Sequence, residues 1–328
     1  MNTSLSLVPQ TSFEGPALAF DFPALHIGIA EYTEGPTGCT VFYFPDGVAT
    51  AIDARGGLVV KCGDYERNHA ICFAGGSVYG LEAASGVTAA LFEQRASALQ
   101  TKAAISSKHV ALVSGAILND YFVRENVIYP DHKLGKAALL AARPGLFPLG
   151  ARGAGRSAGC GSIFSLAHKE PSGQGGAFRQ IGSTKIGVFT VVNAVGVIVD
   201  RQGQVVRGNR DPKTGLRLSP VEELEPRLAR GEVVTTAFGN TTLTLVVTNQ
   251  CLRPEELRQL GRQVHCSMAR AIQPFQTIND GDVLYAVTTN EVDDSRVSGA
   301  MLGILASELA WDAVLKSIPE QMMLSENP

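Results

Sequence analysis

The chain has 328 residues, a formal net charge of −3 at pH 7 and 35 glycines. Its hydrophobic fraction of 45% excludes a mostly disordered chain, and its 18% of charged residues lies below the roughly 25% of an average domain. The slightly acidic balance argues against a nucleic-acid partner, which usually calls for a basic surface. No run of 18 apolar residues occurs, so the sequence predicts no membrane-spanning segment.

The first 13 residues contain no Lys or Arg, so they do not resemble a secretory signal. The six cysteines form no CxxC pair, and this pattern predicts reduced thiols in a cytoplasmic protein. They are Cys39, Cys62, Cys72, Cys160, Cys251 and Cys266. Residues 1–17 are polar and predict a flexible tail before the globular part.

The N-terminal half predicts a mixture of strands and one long helix. Residues 40–43 and 48–52 are typical of short strands, with Pro45-Asp46-Gly47 as the turn between them. Residues 78–95 carry Leu81, Ala84, Val87 and Leu91 at helical spacing, which predicts a buried helix.

The remaining elements predict a layered single domain. Runs rich in Val, Ile and Leu predict strands at residues 108–118, 185–192, 196–200, 241–248 and 283–289. Apolar residues at helical spacing predict helices at residues 254–272 and 298–318, the first with Pro254 at its first turn. Strands flanked by helices favour stacked sheets covered by helices.

Residues 201–238 differ in composition from the rest of the chain. They contain seven Lys or Arg and five Asp or Glu among 38 residues, together with three prolines. This composition predicts an exposed connector, with a short helix starting at Ser219-Pro220. A core-type strand follows at once from Gly239-Asn240-Thr241-Thr242, so the chain could be cut here without losing the fold.

Two motifs are weak candidates for functional sites. Gly155-Arg156-Ser157-Ala158-Gly159 matches G-x-S-x-G, which in an α/β-hydrolase must follow a strand, but residues 146–154 are broken by Gly and Pro. A glycine-rich loop is therefore favoured, and a serine esterase using Ser157 stays an alternative. Asn279-Asp280-Gly281-Asp282 lacks the glutamate of a calcium loop, which leaves an ordinary turn or two positioning carboxylates. The six histidines show no metal-binding spacing.

Asn240-Thr241 is a candidate for nucleophilic chemistry. A threonine hydroxyl is a weak nucleophile that needs a base. If the bond before Thr241 were cut, its new α-amine, with a pKa of about 8, could be that base. The cut could be made by the Thr241 hydroxyl itself attacking the Asn240 carbonyl. From these residues alone, an ordinary turn into a strand is the favoured interpretation.

A resemblance to a known family along about 300 residues, with the matching segments in the same order, favours a catalytic role for Asn240-Thr241 instead. From Phe20 onward the chain resembles the DmpA-type peptidases (peptidase family S58), and among them the branch that hydrolyses nylon oligomers. The matching segments are Glu34-Gly35-Pro36-Thr37-Gly38, Asp53-Ala54-Arg55-Gly56-Gly57, Asn68-His69-Ala70-Ile71-Cys72, Tyr79-Gly80-Leu81-Glu82-Ala83, Gly196-Val197-Ile198-Val199-Asp200-Arg201, Gly239-Asn240-Thr241-Thr242-Leu243, Gln263-Val264-His265, Ile272-Gln273-Pro274-Phe275 and Asp280-Gly281-Asp282.

The resemblance implies an autoproteolytic amide hydrolase with a four-layer α/β/β/α fold. Cleavage between Asn240 and Thr241 would leave residues 18–240 and 241–328 as two chains of one domain. Thr241 would be the nucleophile, Asn193 would stabilise the oxyanion, and Asp280 and Asp282 would form an orienting pair. The resemblance also implies linear amides such as 6-aminohexanoate oligomers as substrates. It implies no cofactor or metal, and a homo-oligomer that is often a tetramer.

The sequence departs from the family pattern at two places. The family has a lysine in the glycine-rich stretch, whereas residues 156–165 contain none and the nearest, Lys169, lies several residues on. A family tyrosine is replaced by Asn119, with Tyr121 two residues later; both are candidates for substrate binding. An aminopeptidase for D- or β-amino acids is one alternative, with Glu82 or Asp120 accepting the substrate amine. An uncleaved scaffold is the other, and the lysine departure supports it.

Overall fold

A computed structural model describes residue 2 and residues 5–98, 110–234 and 239–319. The strands are β1 Ala17–Ala19, β2 His26–Tyr32, β3 Thr37–Ala54, β4 Lys61–Cys62, β5 Arg67–Ala74, β6 Val113–Ile117, β7 Arg143–Pro144, β8 Leu146–Pro148, β9 Gly159–Cys160, β10 Glu170–Pro171, β11 Gln174–Ile181, β12 Thr184–Asn193, β13 Val197–Val199, β14 Val205–Arg207, β15 Thr241–Gln250, β16 Ile272–Gln273 and β17 Val283–Val292. The helices are α1 Leu81–Ala98, α2 His132–Leu140, α3 Pro220–Ala229, α4 Pro254–Ser267 and α5 Gly299–Leu315.

The long strand β3 belongs to two sheets. Its second half pairs with β17 and continues sheet A, in the order β11, β12, β15, β17, β3. Its first half pairs with β2 and β5 in sheet B, which also holds β4, β6 and β7. The turn predicted at Pro45-Asp46-Gly47 is wrong, because β3 stays paired with β5 on both sides of it. The pairing only shifts register between Tyr43 and Val48, so the extra residues are absorbed as an irregularity.

Three apolar clusters show the order of the layers. One lies between the sheets and contains Phe42 and Phe73 of sheet B and Phe189, Leu245 and Tyr285 of sheet A. A second packs α4 and α5 on the outer face of sheet A, and a third packs α1 and α2 on the outer face of sheet B. The predicted α/β/β/α sandwich is therefore confirmed for the described part of the chain.

Side-chain alternation in sheet A places the candidate nucleophile. Leu243 and Leu245 of β15 lie in the cluster between the sheets, while Val246 faces α4 and α5. Thr241 lies two residues before Leu243, so its side chain is on the same face of β15. It therefore points into the space between the sheets, at the start of the strand. Asn193 ends β12 directly opposite Thr241 in the antiparallel ladder, on the same face.

The predicted helices are present for the reasons that the sequence suggests. In α4, Pro254 occupies the first turn, and Leu257, Leu260 and Val264 form the buried face. The Ser298 side chain caps α5 by accepting a hydrogen bond from the Met301 N–H at 3.3 Å. The predicted helix at residues 78–95 is α1, preceded by a short 3-10 turn at Ser77–Gly80.

Two segments predicted to lie outside the core make specific contacts. Within residues 1–17, Gln10 pairs with Glu31 of β2 through two backbone hydrogen bonds of 2.9 Å. In the connector, β14 pairs with β13, and Arg207 is buried, so this part is packed rather than exposed. Helix α3 starts at the capping residue Ser219 and buries no side chain, as expected for a connector.

None of the helices in the described ranges is long and apolar enough to cross a membrane.

Candidate active site

The Thr241 hydroxyl contacts the carbonyl group of the peptide bond that precedes it. Thr241 Oγ1 donates a hydrogen bond to the Asn240 carbonyl oxygen at 2.7 Å. Both residues are buried at the start of β15, and Asn240 forms a bridge with Asp280. A hydroxyl group is thus held beside one particular carbonyl group.

A second donor reaches the same carbonyl oxygen from the loop before β17. The Gly281 N–H donates to the Asn240 oxygen at 2.8 Å. A Cβ atom on Gly281 would lie 2.9 Å from Thr241 Oγ1 and 2.4 Å from the Leu58 carbonyl oxygen, so the site needs glycine here. Gly281 is not among the predicted site residues, although its place between Asp280 and Asp282 was a signal.

Asn193 is fully buried and held in one orientation by its neighbours. Its Oδ1 accepts hydrogen bonds of 3.1 Å from the Gly159 N–H and from Lys169 Nζ. Its Nδ2 donates to the Asn119 carbonyl oxygen at 3.0 Å. Because a side-chain amide nitrogen carries two hydrogens, Asn193 has a second donor for an oxygen at the site.

Lys169, expected to be displaced from the glycine-rich stretch, lies in the site beside Asn193. Strand β10 pairs with β9, with Glu170 opposite Cys160, and this hairpin folds Lys169 back over the glycine-rich segment. A Cβ atom on Gly159 would lie 2.5 Å from Lys169 Cε, which shows how closely the two approach. The expectation of a missing lysine is therefore wrong, because strand pairing rather than sequence position sets where Nζ lies.

Burial changes the acidity of Lys169. Loss of contact with water lowers the pKa of its ammonium group to about 8, since a buried charge is poorly solvated. The lysine can therefore donate a hydrogen bond at neutral pH and also release a proton near it. Such pKa values are typical of functional sites.

The two predicted aspartates are buried on either side of the nucleophile. Asp282 Oδ1 accepts from the Thr242 N–H at 2.6 Å, and Asp280 Oδ1 accepts from the Val195 N–H at 3.3 Å. Burial raises the pKa of both carboxyl groups, and the charge of Asp280 raises that of Asp282 further. These contacts hold the backbone at Thr242, beside Thr241, and at Val195, two residues after Asn193.

The predicted substrate-binding residues have different surroundings. Asn119 joins the site through its carbonyl oxygen, and its Oδ1 accepts from the Tyr121 N–H at 3.2 Å. Glu82 instead binds the Tyr129 hydroxyl and His132 Nδ1, both at 2.7 Å. Asp120 is fully buried in an ion pair with Arg124 at 2.8 Å. Both carboxylates suggested as amine acceptors are thus already engaged.

Among the residues that the structure describes, no group of three or more His, Cys, Asp or Glu side chains is placed to hold a metal ion.

The surroundings of Ser157 do not activate it. The residues before it form a 3-10 turn at Gly153–Gly155 instead of a strand, and its hydroxyl donates to the Pro36 carbonyl oxygen. We expect Ser157→Ala to retain self-cleavage on a denaturing gel and an unchanged rate of amide hydrolysis. Loss of hydrolysis with cleavage intact would instead support the serine esterase.

Several proteins are similar to this chain along most of its length. A 6-aminohexanoate-oligomer endohydrolase from Paenarthrobacter ureafaciens is 47% identical over 326 residues, which is 96% of this chain and 90% of that protein. The endohydrolase of the same name from Agromyces sp. (strain KY5R) matches to the same extent. A protein named as an uncharacterized aminopeptidase from Mycobacterium tuberculosis (strain ATCC 25618 / H37Rv) is 32% identical over 267 residues, 78% of this chain and 74% of its own.

Solved structures share the fold at low sequence identity. The L-aminopeptidase D-Ala-esterase/amidase of Ochrobactrum anthropi, described as a variant of the Ntn hydrolase fold, has a TM-score of 0.64 at 15% identity, covering 94% of this chain and 88% of that one. A β-aminopeptidase of a Burkholderia species has a TM-score of 0.62 at 16% identity, covering 92% and 88%. The sequence profile of peptidase family S58 matches residues 20–324. The chain therefore belongs to peptidase family S58 and is a hydrolase.

Proposed function

We propose that this protein cleaves itself between Asn240 and Thr241 and then hydrolyses linear aliphatic amides through an ester on Thr241. The observation that carries the proposal is the 2.7 Å hydrogen bond from Thr241 Oγ1 to the Asn240 carbonyl oxygen, in a buried site. The Gly281 N–H supplies a second donor to the same oxygen, where negative charge would develop during attack.

Self-cleavage follows from these contacts. Thr241 Oγ1 attacks the Asn240 carbonyl carbon and gives up its proton, which ends on the Thr241 nitrogen. The carbonyl oxygen gains negative charge that the Gly281 N–H stabilises. The C–N bond then breaks and the Thr241 nitrogen takes up a proton to become an amine. Water hydrolyses the resulting ester, which yields the Asn240 carboxylate and a free Thr241 hydroxyl.

Substrate hydrolysis would reuse the same atoms. The new α-amine, with a pKa of about 8, accepts the Thr241 hydroxyl proton as the hydroxyl attacks a substrate amide. The second N–H of Asn193 Nδ2 would donate to the developing oxyanion, and Lys169 keeps that amide aligned through Oδ1. The leaving amine departs with the proton, and water then releases the acyl group from Thr241.

The names of the relatives and the contacts of two carboxylates bear on the substrate class. The two endohydrolases at 47% identity are named for 6-aminohexanoate oligomers, which favours linear aliphatic amides here. The names of the more distant relatives favour an aminopeptidase as the second candidate. It is weaker because Glu82 and Asp120 are both engaged in other contacts. Lys169 in the site removes the sole support for an uncleaved scaffold.

The proposal extends to assembly and compartment. Met301 and Ile304 leave apolar side chains exposed on α5, which supports a homo-oligomer of cleaved subunits, as in the tetramer that the resemblance implies. All six cysteines are free thiols, which supports a reducing, cytoplasmic compartment.

A denaturing gel of the purified wild-type protein tests the cleavage. We expect two bands of about 25 and 9 kDa, scaled from 34.6 kDa over 328 residues, and the small band should begin Thr-Thr-Leu-Thr-Leu. The processed protein should release amine groups from a linear 6-aminohexanoate trimer. A single band of 34.6 kDa after long incubation would contradict the proposal, and a start at Thr242 would move the nucleophile.

A further inference from the structure

An aromatic cleft lies next to the candidate active site. It encloses about 620 Å³, within the usual size range of small-molecule sites, and is lined by Tyr79, Tyr121, Arg124, Glu125, Asn126, Val127 and Tyr129. Tyr79 and Val127 are 62% and 66% exposed, although side chains of this kind favour burial. An exposed apolar lining of this kind is typical of a surface that binds a ligand.

The cleft is connected to Thr241 by a short series of contacts. Asn193, directly opposite Thr241 in the sheet, donates from Nδ2 to the Asn119 carbonyl oxygen at 3.0 Å. Asn119 Oδ1 in turn accepts from the N–H of Tyr121, a lining residue, at 3.2 Å. Two hydrogen bonds thus join the amide of Asn193 to the backbone of a residue that lines the cleft.

The charges of the cleft are neutralised except for one. The Arg124 guanidinium is buried, pairs with Asp120 at 2.8 Å and lies over the Tyr121 ring at 4.3 Å from its centre. Glu125 is exposed and forms no ion pair with any residue in the described ranges. The cleft thus combines an apolar wall with a single unpaired carboxylate at its edge.

We infer that this cleft is the acyl-side subsite for a linear ω-aminoacyl chain, with Glu125 binding the terminal ammonium group. The methylene groups of such a chain would pack on the tyrosine rings and Val127, while the reacting carbonyl lies at Thr241. Charge complementarity selects this occupant, because Glu125 attracts a cation and the wall accepts an aliphatic chain. The inference rests on the proposed function and names the preferred substrate end.

The consequence is a preference for substrates with a free amine. The measurement is the ratio of kcat/KM for the 6-aminohexanoate trimer to that for its N-acetylated form, which has the same chain without the charge. Glu125→Gln should lower this ratio about three- to fivefold, the range of an exposed charge pair, mainly through KM of the amine form. The wild-type ratio should also fall as salt is added.

Matched variants separate this effect from others. Glu291 is exposed near the far end of β17, so Glu291→Gln removes an equal charge away from the cleft and should leave the ratio unchanged. Val127→Asn should lower kcat/KM for both trimers and keep the ratio. A ratio that Glu125→Gln does not change would overturn the inference while leaving the function intact. Failure of the wild type to cleave itself or either trimer would refute the proposed function instead.

Discussion

Replacement of Thr241 by alanine is expected to abolish both reactions of the protein. The variant should stay as one 34.6 kDa band. Its hydrolysis of the 6-aminohexanoate trimer should fall by about 10⁴-fold or more, as is usual when a covalent nucleophile is removed. The reason is that one oxygen, Thr241 Oγ1, performs self-cleavage and then forms the ester with the substrate. Gel analysis and release of amine groups measure the two effects.

Thr241→Ser is the matched control, because it retains the hydroxyl and loses only a methyl group. It should yield the two bands, at a changed rate, and then hydrolyse the trimer. If Thr241→Ala still appeared as two fragments, another residue would have to cut the chain. If it stayed whole but hydrolysed the trimer at the wild-type rate, Thr241 would be needed for self-cleavage but not for hydrolysis, and the proposed ester on Thr241 would be wrong.

The layered fold could be predicted largely from local patterns. Alternation along residues 241–248 and helical spacing along residues 254–272 both depend on near neighbours in the chain, and both elements are present as β15 and α4. The turn at Pro45-Asp46-Gly47 was wrong because its residue types are typical of turns, whereas tertiary pairing with β5 keeps β3 continuous. Local propensity cannot register a partner strand that lies 20 or more residues away.

The site shows the same division between local and distant information. The family resemblance singles out the pair Asn240-Thr241 and the aspartates at 280 and 282, because each of its matching segments is contiguous in the sequence. The position of Lys169 depends on the β9–β10 hairpin and on the absence of a side chain at Gly159, neither of which its own sequence neighbours indicate. Glu125 had no motif at all; only the lining of the cleft identifies it.

Replacement of Lys169 by methionine is expected to slow trimer hydrolysis, and the upper limit is about 10²–10³-fold, the cost of losing an oxyanion donor outright. Methionine keeps much of the length and apolar stem but cannot donate to Asn193 Oδ1. Asn193 would then lose one of the bonds that orient its Nδ2. Lys185→Met is a control, because Lys185 is a half-buried lysine that pairs with the exposed Asp21 at the other end of β12 from Asn193, and its loss should not affect this rate. Wild-type rates in Lys169→Met would contradict this role.

The same substitution is expected to stabilise the folded chain at neutral pH. The pKa of Lys169 is about 8 when folded and 10.5 in the unfolded reference, so its buried charge costs about 3 kcal/mol below pH 8. Between pH 8 and 10.5 the unfolded state binds more protons, and the parent regains this stability as pH rises. Lys169→Met has neither the destabilisation below pH 8 nor the recovery of stability above it. It loses about 1 kcal/mol because the hydrogen bond to Asn193 is missing.

Urea unfolding of Thr241→Ala and of Thr241→Ala with Lys169→Met measures this effect on a single uncleaved chain. The free energy of unfolding should favour the double variant at pH 7, and the difference should shrink steadily towards pH 10. Because both chains share every other titrating group, the difference isolates Lys169. A difference that does not vary with pH would show that Lys169 keeps its ordinary pKa. A charged amine that lowers stability while orienting Asn193 is what the site would need if selection acts on activity rather than on stability.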